Sequence, residues 1–433
     1  MKRLLDFEAA LALTLSHIQP GRSEYLPLER LSGRILATDL FSRVDSPSVN
    51  ASLKDGYAVC SEEIAGAGPE APVVLELAGE ATAGRLSGAR LAPGRAIRIT
   101  TGAGVPAGAD AVLSEEFTRQ EGGKIICYNT AEPGRNILEK GTDIRQEEIV
   151  ARRQEKISPA LVGLLATAGL DGAEVFRVPT IGVLATGDEV VAPGHPLPEG
   201  KLYASNITAI CAWLGQYGIP TRVAFARDKK NDTMAVIQEE LPHVDGFVSS
   251  GGIWGSEKDL MLDVLESLKW RGLYHRVKIG PGKAVAFGFL EEKPFFCLPG
   301  GPPSNEMAFL QIALPGLLRM AGETRRPFPV IRARLLAEVT GNREWTQFVH
   351  AGVSREAAGF AVMPLKQKSR LQAMAGKNSL ITIPRECPGY PAGTVIKVQL
   401  LNDRVLYPAD MSGPGEQDES GPAAAGKGEE ING

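Results

Sequence analysis

The chain has 433 residues, is 43% hydrophobic but only 6% aromatic, and carries a formal net charge of −4. This length predicts two to four domains with mostly aliphatic cores. No long basic run marks a nucleic-acid partner and no apolar run is long enough for a membrane span, so neither is expected.

In chain order, the first predicted element is an amphipathic helix over residues 4–18. Leu4, Leu11, Leu15 and Ile18 recur at helical spacing, and Pro20-Gly21 ends it. Asp6 and Glu8 interrupt the apolar stretch there, which argues against a signal peptide. Residues 45–145 hold short apolar runs between Gly and Pro turns, the pattern of a small β-rich domain, with a barrel as one form. Ser158-Pro159 then opens a helix, with Ser158 as N-cap.

Residues 178–320 alternate. Strands are predicted at 180–186, 221–226, 245–250, 284–289 and 294–298, and helices at 205–217, 231–241, 258–269 and 304–320. Strands separated by helices imply βαβ units and a mostly parallel sheet. Short alternating strands return over 328–407, and residues 409–433, rich in Gly, Ala, Pro and acids, are expected to be disordered. That tail carries six acids against Lys427, or −5, which leaves about +1 for the rest of the chain. Five scattered cysteines without a Cys-x-x-Cys pair read as isolated thiols in a reducing cytosol. A soluble, cytoplasmic protein is expected.

The predicted class is α/β plus β, multidomain. A linker domain comprises 1–44 with 146–177, and a β-rich insert 45–145. A three-layer α/β domain with a mostly parallel sheet covers 178–327, a β-barrel-like domain 328–408, and the tail 409–433.

Three apolar runs in the α/β domain each enter a small-residue loop, read as strand, tight turn and helix start: residues 181–190, 246–255 and 295–307. Loops after parallel strands gather at one sheet edge, where ligands bind. Thr186-Gly187-Asp188-Glu189 offers carboxylates for Mg²⁺ or a ligand amine or hydroxyl, against helix capping as the simpler role. Ser250-Gly251-Gly252 lets backbone N–H groups approach a phosphate, although an ordinary turn has the same composition. Asp259 suits either a metal or a helix N-terminus. Lys278 and Lys283 flank a Gly-Pro-Gly turn suited to an oxyanion, although taken alone a solvated turn is the simpler reading. Pro299-Gly300-Gly301-Pro302-Pro303-Ser304 reads as a rigid loop with Ser304 capping the next helix, whose N-terminus would face an anion. No Ser-His-Asp set or histidine ligand pair appears, so a metal would be a hard cation on carboxylates.

With these motifs stand Asp55-Gly56-Tyr57-Ala58-Val59, Thr101-Gly102, Gly108-Ala109-Asp110-Ala111-Val112, Gly141-Thr142-Asp143-Ile144 and Ser205-Asn206. In this order and spacing, residues 4–402 resemble the molybdopterin molybdenumtransferases, a family that includes the C-terminal part of gephyrin. The resemblance implies insertion of molybdate (or tungstate) into adenylated molybdopterin with release of AMP, assisted by Mg²⁺, in a homodimer. It implies site roles for Asp55, Thr101, Asp143, Glu189, Asp259 and Lys283, with Glu189, Asp228 and Asp259 toward the metal. Binding roles follow for Thr186, Gly187, Asp188, Ser250, Gly251, Gly252, Pro299, Gly300, Pro302, Ser304 and Ser369.

The chain departs from the family pattern at Gly280 and Gln347, where cations are usual, and at Lys54, Gly301 and Ile253-Trp254-Gly255-Ser256. The departures at 280 and 347 motivate an alternative: a non-catalytic molybdopterin-binding or scaffold paralogue, or a nucleotide-releasing relative with altered oxyanion specificity.

Overall fold

The computed structural model describes residues 2–85, 90–253, 259–357, 359–365 and 369–402. The expected disordered tail and residues Trp254, Gly255 and Ser256 lie outside them. The chain forms two compact units: Met1–Ser16, Thr180–Pro315 and Arg326–Gly433 make one, and His17–Pro179 with Gly316–Arg325 the other.

In the first unit, strands Thr221–Ala226, Ile181–Thr186, Gly246–Ser250 and Lys293–Leu298 lie side by side in that order, every neighbouring pair parallel. Ile181–Thr186 and Gly246–Ser250 are buried at every position, as parallel strands covered on both faces must be. Helices Lys230–Glu240 and Leu260–Ser267 contribute Ile237, Met261, Val264 and Leu265 to a core shared with Leu184, Phe247, Phe295 and Cys297. Beyond Lys293–Leu298 the sheet turns antiparallel, through Ala286–Leu290 to Arg271–Gly280. The last strand lies outside the predicted set. A bulge near Tyr274 breaks its alternation, so Tyr274 and His275 are both buried and the period-two signal is lost.

The N-terminus differs from the reading of a helix from residue 4. Lys2–Asp6 is a strand, parallel to Arg271–Gly280, and the helix spans Phe7–His17. Pairing with a sheet edge overrides the local pattern, and Leu4 sits at φ 57°, outside helical geometry. The long helix expected at 304–320 is also modified. It runs Pro302–Ala308, widens into a π turn over Phe309–Ala313, and resumes as Leu314–Met320. Pro315 has no N–H to continue the α ladder, which is why the helix departs from regularity just before it.

Strands Thr346–Glu356, Gly359–Pro364, Val330–Leu335, Val395–Leu400 and Ser379–Ile383 pair in a ring, since the last also pairs with the first. This closed sheet is the barrel-like element, filled by Leu335, Val362, Ile381, Ile383 and Val398. Beside it, Glu306 and Lys377 form a buried ion pair of 2.8 Å, their side chains 8% and 4% exposed.

In the second unit, six strands of residues 45–145 form an open sheet, in the order Ala111–Ser114, Gly56–Val59, Arg95–Ile99, Val73–Ala81, Lys124–Cys127, Thr118–Glu121, while Ala51–Ser52 and Ile137–Leu138 pair with each other. Its two edges do not pair, so the barrel considered for this segment is not formed. Ser158 caps helix Pro159–Thr167 as expected, its hydroxyl accepting from the Leu161 N–H at 3.1 Å. All five cysteines are unpaired. Among the described residues no helix is long and apolar enough to cross a membrane.

Candidate functional site

The parallel register places Ala185 beside Ser250 and Ser250 beside Leu298, so all three motif strands end at one sheet edge. Their loops are joined by named bonds. The Gly251 N–H donates to the Leu298 carbonyl at 3.1 Å, and the Thr186 hydroxyl donates to the Ser250 carbonyl at 3.3 Å. Gly251 adopts φ +99°, and a Cβ there would meet the Thr186 carbonyl oxygen at 2.8 Å. Glycine is thus required at this crossing by conformation and by space.

Two amides complete the frame. The Asn206 side chain donates to the Ser250 hydroxyl oxygen at 3.1 Å and the Gly300 carbonyl at 2.7 Å. Asn305 donates to the same hydroxyl at 3.0 Å and to the Pro299 carbonyl at 2.9 Å. A serine oxygen that accepts two bonds keeps its own O–H to give to a ligand. Asn206 entered the sequence reading only as part of a motif, and Asn305 not at all. No local signal singles Asn305 out: it stands between Ser304 and Glu306 in helix Pro302–Ala308, and its 1% exposure, which demands partners, is a property of the fold.

A cleft of about 340 Å³ opens beside this frame, lined by Glu189, Tyr203, Asn206, Ser250, Gly300 and Pro302, among others. The structure therefore brings Glu189, Ser250, Gly300 and Pro302 together. Gly187, at φ +136°, leaves room for the Glu189 carboxylate, whose oxygen lies 2.6 Å from where a Cβ would stand. Asp188 and Asp228 each accept from the other's backbone N–H, at 3.3 and 3.4 Å. Burial pushes the Asp228 carboxyl above the ordinary range, opposed by the bond from Asp188 and reinforced by the charges of Glu189 and Asp188. Crowded carboxylates of this kind suit a hard divalent cation. Among the described residues, however, no three acidic, histidine or cysteine side chains converge on a single metal position.

Asp259 is in neither cleft lining. Its Oδ2 lies 3.7 Å from His275 Nε2, and its buried Oδ1 has no hydrogen-bond partner among the described residues. It holds the N-cap position of Leu260–Ser267 without a capping bond from its side chain.

A second cleft, of about 490 Å³, is lined by Gly280, Gly282, Lys283, Pro299, Ser304 and Gln347, with Arg276, Asn342 and Trp345. Lys283 Nζ lies 5.0 Å over the Trp345 ring. Gln347 Oε1 accepts from the Asn342 N–H at 2.5 Å, so its acceptor is turned to backbone. Lys278 is not in this lining; it pairs with Asp6 at 3.2 Å. The loop from Pro299 to Ser304 thus borders both clefts.

Some details differ from the sequence reading. The first loop does not lead directly into a helix; two short strands, Val190–Val191 and Leu202–Tyr203, precede helix Ser205–Gln216. Ser304 is not an N-cap. The helix begins two residues earlier with Gly301 in the cap position, because two prolines supply helical φ at its start. Those prolines also remove two N–H groups from the end expected to face an anion. Ser369 is an N-cap: its oxygen accepts from the Gln372 N–H at 3.3 Å.

In the other unit, Asp55 Oδ1 accepts from both the Thr101 N–H at 2.8 Å and the Thr101 hydroxyl at 3.2 Å, while Asp143 is exposed.

Comparison with known families matches residues 5–169 to the MoeA N-terminal region (domains I and II), 182–319 to a probable molybdopterin binding domain, and 332–401 to the MoeA C-terminal region (domain IV). Molybdopterin molybdenumtransferase 2 of Mycobacterium tuberculosis H37Rv is 30% identical over 380 residues, 86% of this chain and 94% of that protein. Molybdopterin molybdenumtransferase of Bacillus subtilis 168 is 28% identical over 391 residues, 88% and 91% respectively. A solved molybdopterin biosynthesis MoeA protein from Pyrococcus horikosii is 31% identical, with TM-score 0.81, covering 92% of this chain and 99% of that one. Motifs, sheet edge and comparisons agree: the chain belongs to the molybdopterin molybdenumtransferase family.

Proposed function

We propose that this protein inserts molybdate into adenylated molybdopterin and releases AMP, in molybdenum cofactor biosynthesis. One observation carries the reading: a single loop, from Pro299 to Ser304, separates a carboxylate-bearing cleft from one lined by cations and no acid. A substrate joining a nucleotide phosphate to a pterin, reacting with a separate oxyanion, requires two such neighbouring environments.

The protein supplies position and charge rather than a nucleophile. Ser250 donates its remaining O–H to a phosphate oxygen, while Gly251, Gly252 and Gly300 keep the backbone close to it. Thr186 holds the loop. Glu189 and Asp228, with Asp188 beside them, would hold Mg²⁺, and the buried free oxygen of Asp259 makes it a further candidate. Bound there, the ion would neutralise phosphate charge as AMP leaves. Lys283, on the other side of the loop, attracts the oxyanion. Asp55, Thr101, Asp143 and Ser369 are assigned to the reaction through the family resemblance. A homodimer follows from the same source, and five unpaired thiols favour a cytoplasmic setting.

The test is AMP release from adenylated molybdopterin by the purified protein, with Mg²⁺, with and without molybdate. Molybdate-dependent release is expected. Pterin binding without release at saturating molybdate would replace this reading with the scaffold paralogue, and release independent of molybdate with the nucleotide-releasing relative. Sedimentation of the purified chain checks the dimer.

A further inference from the structure

Glu306 joins three helices. Its Oε1 accepts from Lys377 Nζ at 2.8 Å and from Trp213 Nε1 at 3.4 Å. Trp213 belongs to helix Ser205–Gln216, which carries Asn206 near its start, and Glu306 directly follows Asn305 in helix Pro302–Ala308. The two amides that hold Ser250 therefore stand on the two helices that Glu306 connects. Lys377 ties in the third helix, Arg370–Gly376, because its Nζ also donates to the Met374 carbonyl at 2.7 Å.

That third helix needs the tie. It has seven residues, of which Ala373 is the buried one. A helix shorter than roughly 12–15 residues is marginal alone in water. Lys377 supplies an ammonium to a carbonyl that the helix end leaves without an N–H. The same helix reaches the site. Leu371, 53% exposed, lines the cleft of about 340 Å³. It also lines a neighbouring cavity of about 230 Å³, together with Met374, Trp213 and Glu306. Leu371 thus gives the carboxylate-bearing cleft an apolar wall. A well-packed apolar pair in place of a buried ion pair is often as stable or more so. The pair is therefore explained less by stability than by the geometry its directional bonds fix.

We propose that Glu306 and Lys377 are positioning residues for the substrate. The pair fixes helix Arg370–Gly376 at the cleft, and Leu371 packs against a flat heterocyclic ring of the bound molecule. The proposal rests on the proposed function for the identity of that molecule, but not for the hold on the helix. The pterin and the adenine of the substrate share this chemistry, and separate titrations distinguish them.

The experiment compares the full-length wild type with Leu371→Ala, with Glu306→Leu/Lys377→Met and with the triple variant. Hydrogen exchange of the free proteins reads the hold. Amides of residues 371–376 should exchange about tenfold faster in the double variant, with those of strand Gly246–Ser250 unchanged. Calorimetric titration with molybdopterin alone, and with AMP alone, reads the wall. Leu371→Ala should weaken one of the two by about fivefold to tenfold, through lost apolar contact, and so identify the ring. The double variant should weaken the same ligand by a similar factor, although urea unfolding shows its stability largely restored. The triple variant should weaken it no further, because residues acting through one contact are not additive. In AMP release, KM for the adenylated substrate should rise more than kcat falls.

Wild-type exchange at 371–376 in the double variant overturns the hold of the pair on the helix. Unchanged binding of both ligands in Leu371→Ala, or additive losses in the triple variant, overturns the wall. A double variant whose binding returns together with its stability reduces the pair to a structural role and overturns the positioning. If a ligand binds through Leu371 yet the adenylated substrate releases no AMP, the proposed function fails and the positioning stands.

Discussion

Replacing Lys377 with Met isolates the cost of one buried charge. Glu306 and Lys377 are 2.8 Å apart, with side chains 8% and 4% exposed. Without the ammonium, Glu306 Oε1 keeps only a long bond from Trp213 Nε1 at 3.4 Å, and Oε2 has no bond at all. Breaking such a pair from one side costs about 3–5 kcal/mol. The carboxylate can avoid part of that by taking a proton. For an ordinary Glu with pKa of about 4.3, being protonated at pH 7 costs about 3.7 kcal/mol, and about 1.4 kcal/mol less for each unit of acidification. The Lys377→Met penalty should therefore be about 3–4 kcal/mol at pH 7 and about 1 kcal/mol at pH 5.

His350 moves the same way. Its Nε2 lies 3.8 Å from Glu306 Oε2. Burial, then the Lys377 charge, hold its pKa below the ordinary histidine value, against the pull of Glu306. Because the unfolded chain binds that proton more readily, wild-type stability falls as pH drops through about 6.5 toward the lowered folded value. Removing Lys377 raises the His350 pKa and softens this acid loss. Urea unfolding followed by tryptophan fluorescence at pH 7.5 and 5.5 measures the penalty, and NMR titration measures His350. The double variant Glu306→Leu/Lys377→Met should regain most of the loss. A single variant within 1 kcal/mol of wild type at pH 7.5, or a penalty independent of pH, refutes the reasoning.

Asn305→Ala removes two buried bonds to the Ser250 and Pro299 loops, and should cost about 2 kcal/mol while raising KM for the pterin substrate more than it lowers kcat. Gly251→Ala forces a side chain into φ +99° and against the Thr186 carbonyl; a loss of about 1–3 kcal/mol is expected, with pterin binding impaired in equilibrium titration. Asp228→Asn removes a carboxylate whose folded pKa is raised, chiefly by burial. That charge disfavours the fold above the ordinary Asp value, so the variant should melt higher at pH 7. The gain should vanish as pH falls below that value, while Mg²⁺ titration shows weaker binding.

The motif loops were legible in the sequence because their signals are local. An apolar run ending in Gly-Gly or Pro-Gly records both a buried strand and its turn, and strands Thr221–Ala226 and Ile181–Thr186 fall where periodicity predicts. What escaped the reading depends on pairing between distant segments. Lys2–Asp6 is a strand because it meets Arg271–Gly280, and Arg271–Gly280 hides its own alternation behind a bulge. Asn305 belongs to the site because its amide reaches two loops at once, which no spacing within its own helix reveals.

The departure at Gly280 shows the same limit most clearly. Read along the chain, it is the loss of a cation from a turn. In space, the strand that carries Gly280 also carries Arg276 into the same cleft, and the hairpin bond from Val277 to Lys283 fixes that arrangement. Gln347, beside Gly280 in the register, turns its acceptor to Asn342 rather than replacing a charge. The charge of a cleft is a property of its whole lining, not of one aligned position. Arg276, at φ +67°, stands four residues before Gly280 on the same strand and lines the same cleft, a proximity that the sequence alone does not display.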